Sequence, residues 1–234
     1  MTSFDIIGAI ELTLVAALLI ASAVAGYGLR PEQRIRAALA LGGWFAAVVI
    51  LAGAGAFAHP AAGGPLFGLA VLAPVVIGVR LGGTARVREA IASYPLPWLI
   101  GLHAMRVIGA DFVLLQAQGR LPAPFAPAAG WGDVFIGVTA LPLAWLVYRR
   151  AAGWRTLAII WSGLGMLDLV VAIVLGATSN ENAPLRLFGS GVGTAIMTQL
   201  PWSLVPTFGV PMLFLAHLAA LRRLRIPARV PAPA

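Results

Sequence analysis

Apolar residues fill seven long segments of the chain, and short polar or arginine-containing stretches separate them. Most segments are about 20 residues long, the length that an α-helix needs to cross the hydrocarbon core of a bilayer. The pattern predicts an all-α fold, a seven-transmembrane-helix bundle forming a single membrane domain over residues 1–234. The predicted spans cover about residues 5–28, 37–58, 60–79, 95–118, 133–148, 154–176 and 201–221.

Arginine is concentrated after every second span. Thirteen of the sixteen Arg residues follow spans one, three, five or seven, whereas Arg120 and Arg186 lie at the other end and Arg106 lies inside span four. Cytoplasmic loops of membrane proteins carry the excess of basic residues. The distribution therefore predicts an N-terminus outside and a C-terminus in the cytoplasm. We expect a multi-pass protein of a bacterial cytoplasmic (inner) membrane, with the lipid bilayer as its first partner.

The stretches between the spans differ in composition. Residues 80–94 predict an amphipathic segment lying on the headgroups. The stretch 119–132 is rich in Pro and Gly and is not expected to be a regular helix, so Asp133 after it is expected to cap span five. The loop 177–200 has a length that is more often functional or mobile than a plain connection. The tail 226–234 is expected to be disordered.

Composition narrows the possible chemistry. The chain is 60% hydrophobic and 10% charged, whereas soluble domains are about 25% charged. It has neither Cys nor Lys, which excludes disulfides, thiolate metal sites and a retinal Schiff base. The net charge of +8 comes from Arg clusters at span ends, where membrane orientation explains them, so we expect no nucleic-acid partner.

Span four carries a charged residue at the depth of the membrane midplane. Arg106 lies about 16 Å along the helix from its inner end, and an ionised group there costs roughly 2.5–3.5 kcal/mol on insertion scales. It therefore needs an acidic partner. Asp168 in span six and Glu11 in span one reach a similar depth. We predict a buried ion pair between Arg106 and Asp168, with Glu11 as the second candidate; the alternative is a pair that only locks helices together.

A binding site follows from this pair. We expect Arg106, Asp168 and Glu11 to form its core, with Asp111 and Asp133 at its mouth, and a small polar or anionic molecule as its ligand. The leading hypothesis is a transport-like or small-ligand-binding membrane protein, and the sequence leaves open whether it is an enzyme. The odd number of spans and the lack of an internal repeat differ from transporters built of two repeats.

Two histidines support an alternative function. His103 in span four and His217 in span seven both fall in the inner half of the predicted bundle. Imidazoles from different helices suit haem iron or a divalent metal, which would make the protein a membrane haem or metal oxidoreductase. The other interpretation is that both rings are simply packed between helices. A third hypothesis is an accessory subunit of a larger membrane complex.

Span seven contains Pro206 and Pro211. Each proline removes a helical hydrogen bond, which frees the carbonyls of Trp202 and Thr207 one turn earlier. Free carbonyls at membrane depth are tolerated only where protein or a wet cavity satisfies them. The span is therefore either broken at a binding site or kinked for packing.

Several motifs in the second half of the chain form a pattern. They are Arg106-x-x-Gly109-x-x-Phe112, Gly119-Arg120-Leu121-Pro122, Gly130-x-Gly132-Asp133-x-x-x-Gly137, and Pro206-Thr207-Phe208-Gly209-Val210-Pro211 followed by His217. The pattern resembles that of an uncharacterised family of bacterial polytopic integral membrane proteins. The resemblance implies the membrane architecture and no particular activity.

Overall fold

A computed structural model describes residues 2–25, 29–59, 61–183, 186–188 and 191–225. Most of these residues are helical, and none of them lies in a strand. The α-helices are α1 (Ser3–Val24), α2 (Pro31–Gly53), α3 (Gly63–Leu81), α4 (Ala85–Ser93), α5 (Leu96–Gly101), α6 (Ala110–Ala117), α7 (Phe125–Tyr148), α8 (Trp154–Thr178) and α9 (Val210–Arg225). Shorter 3₁₀ segments are Ala56–Ala58, Leu102–Gly109 and Ala195–Thr198, and Val205–Gly209 forms a π-helical turn.

Seven helical stretches of the described chain are long and apolar enough to cross a membrane. They are Ser3–Val24, Pro31–Gly53, Gly63–Leu81, Leu96–Ala117, Phe125–Tyr148, Trp154–Thr178 and Val205–Arg225. Large apolar side chains such as Leu39 and Leu69 lie exposed on their outer faces, as expected of surfaces that contact lipid. The all-helical prediction and the seven-span count are therefore confirmed, and the chain is a multi-pass membrane protein. The predicted disordered tail, 226–234, and the last residues of the predicted first span, 26–28, lie outside the described residues.

The span ends that are followed by Arg clusters meet at one end of the bundle, which we call the arginine-rich end. At this end, three side chains donate hydrogen bonds to backbone carbonyls of other helices: Tyr94 to Ser22, Arg155 to Leu224, and Arg222 to Val79. At the opposite end, the start of α1 meets the loop after α6 through an ion pair of 2.7 Å between Asp5 and Arg120. Consecutive spans therefore run in alternating directions.

Helix α7 lies at the centre of the packing. It contacts α8 and every part of the span Leu96–Ala117. Near its start, Ala126 and Ala129 belong to an apolar cluster at the opposite end of the bundle. From Ile136 onward its buried apolar side chains belong to a second cluster near the arginine-rich end. Asp133 lies between the two clusters.

Helix α7 begins at Phe125, so the prediction of an irregular stretch up to residue 132 is wrong for its second half. Pro127 lies in the first turn of α7, where a backbone N–H has no partner within the helix and proline therefore costs no hydrogen bond. Asp133 consequently lies about 12 Å along the helix from its start. It does not cap the helix, and its side chain is free to act in the bundle core.

The irregular start of span seven satisfies its backbone with protein groups. The freed carbonyl of Thr207 accepts a hydrogen bond of 3.2 Å from the indole Nε1 of Trp44, and the carbonyl of Trp202 accepts one of 3.2 Å from the backbone N–H of Val205. Proline thus interrupts the regular helix between Trp202 and Val210, and neighbouring protein groups donate hydrogen bonds to the freed carbonyls. Irregular backbone at membrane depth requires such partners.

Candidate functional site

The polar core of the bundle begins in the 3₁₀ segment Leu102–Gly109. A 3₁₀-helix has three residues per turn, so residues three apart lie in one row. His103, Arg106 and Gly109 form that row, and they are the buried residues of the segment. The tighter winding therefore directs the imidazole and the guanidinium to the same face, towards α7, α8 and α9.

Arg106 contacts four groups on three other helices. Its Nε donates to Asp133 Oδ1 on α7 at 2.5 Å, and its Nη2 donates to Asp168 Oδ2 on α8. Its Nη1 lies 3.3 Å from the carbonyl oxygen of Gly165 and 3.3 Å from Nε2 of His217 on α9. Four of the five guanidinium N–H groups thus have acceptors. We call Arg106, Asp133, Asp168 and His217 the Arg106 cluster.

The predicted ion pair between Arg106 and Asp168 is confirmed, and Asp133, which was expected only at the mouth of the site, also pairs with Arg106. The side chain of Arg106 is fully buried, whereas those of Asp133 and Asp168 are 14% and 16% exposed. Two ionised carboxylates around one guanidinium would leave one net negative charge in the bundle core. Glu11, the second candidate partner, makes no ion pair with Arg106 within the part of the chain that the structure describes.

Glycines make room for the polar side chains of the cluster. A Cβ on Gly132 would overlap the carboxylate of Asp168, and a Cβ on Gly165 would overlap the ring of His217. On the facing span, a Cβ on Gly109 would overlap Asp133. These three positions explain why small residues are needed where charged groups from different helices approach one another.

The rings of His103 and His217 lie stacked, with centroids 3.7 Å apart and planes inclined by 24°. Trp161 on α8 packs against both rings, with centroid distances of 5.5 Å and 5.2 Å. Imidazole lone pairs lie in the ring plane, so stacked rings do not direct their nitrogens at one shared point. Among the described residues, no group of three His, Asp or Glu side chains is arranged to hold a metal ion. The geometry therefore favours the interpretation that the two histidines are packed between helices over the interpretation that they form a metal centre.

Several nitrogens of this pair lack protein partners. Both ring nitrogens of His103 and Nδ1 of His217 are buried without a hydrogen-bond partner among the described residues. Because a guanidinium can only donate, Nε2 of His217 must accept from Arg106, which places the proton of the neutral ring on Nδ1. His217 therefore extends the hydrogen-bond network of Arg106 without adding charge.

Glu11 and Asp111 form a separate acidic pair, in the half of the bundle away from the arginine-rich end. Their carboxyl groups lie within hydrogen-bonding reach of each other. Asp111 also lines a cavity of about 40 Å³ that reaches Arg106 and Asp133. A water molecule needs about 10–15 Å³ of such space, so the cavity has room for about three. Asp111 and the cluster thus border the same small cavity, whose lining is mostly apolar apart from Arg106, Asp111 and Asp133.

Two comparisons with known proteins returned nothing: no curated protein and no solved structure matches the chain. A family model, described as a domain of unknown function (DUF8737), matches residues 66–225. The chain belongs to the DUF8737 family. The matched region contains the whole Arg106 cluster, whereas Glu11 on α1 lies outside it.

The DUF8737 region also contains the motif glycines of α7. Gly130, Asp133 and Gly137 are spaced by three and four residues and share one face of the helix. A Cβ on Gly130 would lie 2.9 Å from the carbonyl oxygen of Gly109, and a Cβ on Gly137 would lie 2.6 Å from the backbone nitrogen of Val107. The motif glycines therefore lie where the backbone of α7 closely approaches that of the span Leu96–Ala117, and Asp133 lies between them.

One polar cluster was missed by sequence reasoning. Asp5 Oδ1 accepts from Arg120 at 2.7 Å and from the indole of Trp202 at 2.9 Å. Asp5 also forms a capping box with Thr2, the residue that caps α1, so Asp5 lies in the first turn of that helix. Gly8, one turn further along α1, leaves room for the ring of Trp202. The only signal in the sequence was an acid near the start of a span.

Proposed function

We propose that this DUF8737 protein is a transport-like multi-pass protein of the bacterial inner membrane whose Arg106 cluster takes up and releases a proton. The observation that carries the proposal is the pairing of two carboxylates with one fully buried guanidinium. Burying an unpaired charge is costly, and Arg remains protonated in proteins. One proton on Asp133 or Asp168 neutralises the cluster.

The contacts of Arg106 favour a proton over an anionic ligand. An anion would need free donors on the guanidinium, but Asp133, Asp168, Gly165 and His217 occupy four of the five. The surplus in the cluster is negative. We therefore revise the expected ligand of the site from a polar or anionic molecule to a proton, with Arg106 as a fixed counter-charge.

A route to the cluster supports the same proposal. The cavity of about 40 Å³ links Asp111 to Asp133, and Glu11 lies beside Asp111. We propose that a proton enters between these two carboxyl groups. Water in the cavity would pass that proton on to Asp133. We place this route on the outer side of the membrane, since the arginine-rich end is proposed to face the cytoplasm.

The proposal is tested by infrared spectroscopy of the purified protein during a pH titration. The C=O stretch of a protonated carboxylic acid is expected to change with pH, and Asp133→Asn and Asp168→Asn are each expected to remove or shift one such band. Glu181→Gln, which changes an acid in the loop after α8, is the matched control and should leave that band unchanged. If the bands of the wild-type protein persist in both Asp variants, the proposed proton site is wrong.

Transport is tested separately in liposomes that contain a pH-sensitive dye and carry an imposed membrane potential. The wild-type protein is expected to move protons, and Asp168→Asn should reduce the flux to that of empty liposomes. Glu181→Gln should keep the wild-type flux. A titrating band without any flux would support proton exchange and reject transport.

A second candidate is an accessory subunit in which the cluster only locks helices. The specific observation in its favour is that Arg106 joins its own span to α7, α8 and α9 through nearly saturated contacts. This candidate predicts that Asp168→Asn changes stability or assembly and leaves proton flux unchanged.

A further inference from the structure

A second cavity, of about 250 Å³, lies at the arginine-rich end between α3, α4 and α9. Its walls are mostly apolar, and one charged residue reaches it. The residues that matter for its chemistry are Leu81, Val87, Ile91, Leu215, Leu218 and Arg222. The cavity lies on the face of α9 towards α3 and α4, and it shares no lining residue with the cavity beside the Arg106 cluster.

Two glycines fix the position of Arg222 at this cavity. A Cβ on Gly78 would lie 2.7 Å from Cδ2 of Leu215, so the missing side chain lets α9 approach α3. One turn later, the guanidinium of Arg222 occupies the space where a Cβ of Gly82 would be. Arg222 Nη2 also donates to the carbonyl oxygen of Val79 at 3.4 Å. The guanidinium is therefore held at the edge of the cavity by backbone contacts.

Helix α4 forms the remaining wall of the cavity. Its N-cap is Thr84, whose hydroxyl accepts from the backbone N–H of Val87 at 3.4 Å. Val87 and Ile91 are one helical turn apart and both line the cavity, whereas Arg86 and Arg88 are exposed. This short helix has the two-faced composition of helices that lie in a membrane interface.

The charge of Arg222 is not balanced by the protein. It makes no ion pair within the part of the chain that the structure describes. In the sequence, thirteen Arg residues belong to this end, against only two acids, Glu32 and Glu89. A matching ligand has an apolar chain for the walls of the cavity and a negative headgroup for its edge.

We propose that this cavity binds one anionic phospholipid, with an acyl chain against Leu81, Ile91 and Leu218 and the phosphate at Arg222. Basic pockets between transmembrane helices suit such headgroups. A free anion would leave the apolar walls uncovered, and a neutral lipid would leave the charge of Arg222 unmatched. The site is independent of the proton chemistry proposed for the bundle core.

Lipid binding to the detergent-purified full chain tests this site by native mass spectrometry. Phosphatidylglycerol and phosphatidylcholine with identical acyl chains are compared. The wild-type protein is expected to retain phosphatidylglycerol more strongly. Arg222→Gln should weaken its retention by about five-fold, the effect of one basic residue near an anionic lipid. Arg225→Gln is the matched control, since Arg225 is exposed on the same helix and does not line the cavity.

A second variant separates a defined cavity from a diffuse charge effect. Val87→Phe adds bulk from the short surface helix, where unfolding of the bundle is not expected, and should weaken retention of both lipids. Equal retention of the two lipids by the wild type, equal losses in Arg222→Gln and Arg225→Gln, or unchanged binding in Val87→Phe would each overturn the proposal. If inorganic phosphate stabilises the protein as much as phosphatidylglycerol does, the cavity is a site for a free anion, and the proposal of a bound lipid is overturned.

Discussion

Arg106 remains in the bundle core because the groups that contact its guanidinium nitrogens are hydrogen-bond acceptors. Two carboxylates, a backbone carbonyl and an imidazole nitrogen surround the guanidinium. Breaking a buried pair by removing one partner leaves an uncompensated charge, and the cost is typically about 3–5 kcal/mol. The residue is therefore more sensitive to substitution than any exposed Arg of the chain.

We predict that Arg106→Ala and Asp168→Ala are not additive. Each removes a partner of the same contact, so the double variant should lose less free energy of unfolding than the sum of the single variants, by about 1–3 kcal/mol. Unfolding in mixed detergent micelles measures this. As a control, Arg225→Ala combined with Asp168→Ala should be additive within about 0.5 kcal/mol. Additivity of the first pair would contradict the ion pair.

At the scale of elements, the contact between α7 and the span Leu96–Ala117 positions the cluster. The 3₁₀ segment turns His103 and Arg106 to one face, and the glycine face of α7 lets the two backbones approach. Asp133 reaches Arg106 only because this approach is close. The geometry of the site thus depends on residues that carry no chemistry of their own.

Replacement of Gly137 by Ala is expected to lower the free energy of unfolding by about 1–3 kcal/mol, the range of overpacking in a tight core. Its Cβ would lie 2.6 Å from the backbone nitrogen of Val107, and neither backbone can move aside cheaply. Gly163→Ala in α8 is the control, because nothing lies within 4 Å of its added Cβ. That variant should be stabilised by up to about 1 kcal/mol. Wild-type stability of Gly137→Ala would contradict the close approach of the two backbones.

At the scale of the whole molecule, charge is distributed unevenly. The arginine-rich end carries most of the basic residues, whereas five of the eight acids lie in the spans, in Asp5, Glu11, Asp111, Asp133 and Asp168. The two ends of the bundle therefore present different surfaces to the membrane. The proposed orientation, with the arginine-rich end in the cytoplasm, rests on this asymmetry.

Single-cysteine labelling tests this orientation, and the absence of Cys from the sequence makes each variant unambiguous. Asn182→Cys changes an exposed residue in the loop after α8, and Glu89→Cys changes an exposed residue of α4. A membrane-impermeant maleimide should modify the first variant in right-side-out vesicles and the second only after permeabilisation. The reverse pattern would place the arginine-rich end outside.

The partner of Arg106 was predictable in part. Depth along a helix follows from the rise per residue, and it matched Arg106 with Asp168 correctly. The same reasoning missed Asp133, because prolines before it indicated a loop. Proline in a first helical turn costs no hydrogen bond, so α7 starts earlier and carries Asp133 into the core. Glu11 has the right depth, but the structure places it beside Asp111.

The sequence by itself determined the seven apolar spans, their alternation and the charged residue in the fourth, since hydropathy and charge depend on residue type alone. The tertiary structure decided which acids meet Arg106, how His103 and His217 stack, and where Asp5, Arg120 and Trp202 come together. These outcomes depend on helix rotation and on close backbone approach. Both are set by packing between helices that are distant in the chain, so no local pattern records them.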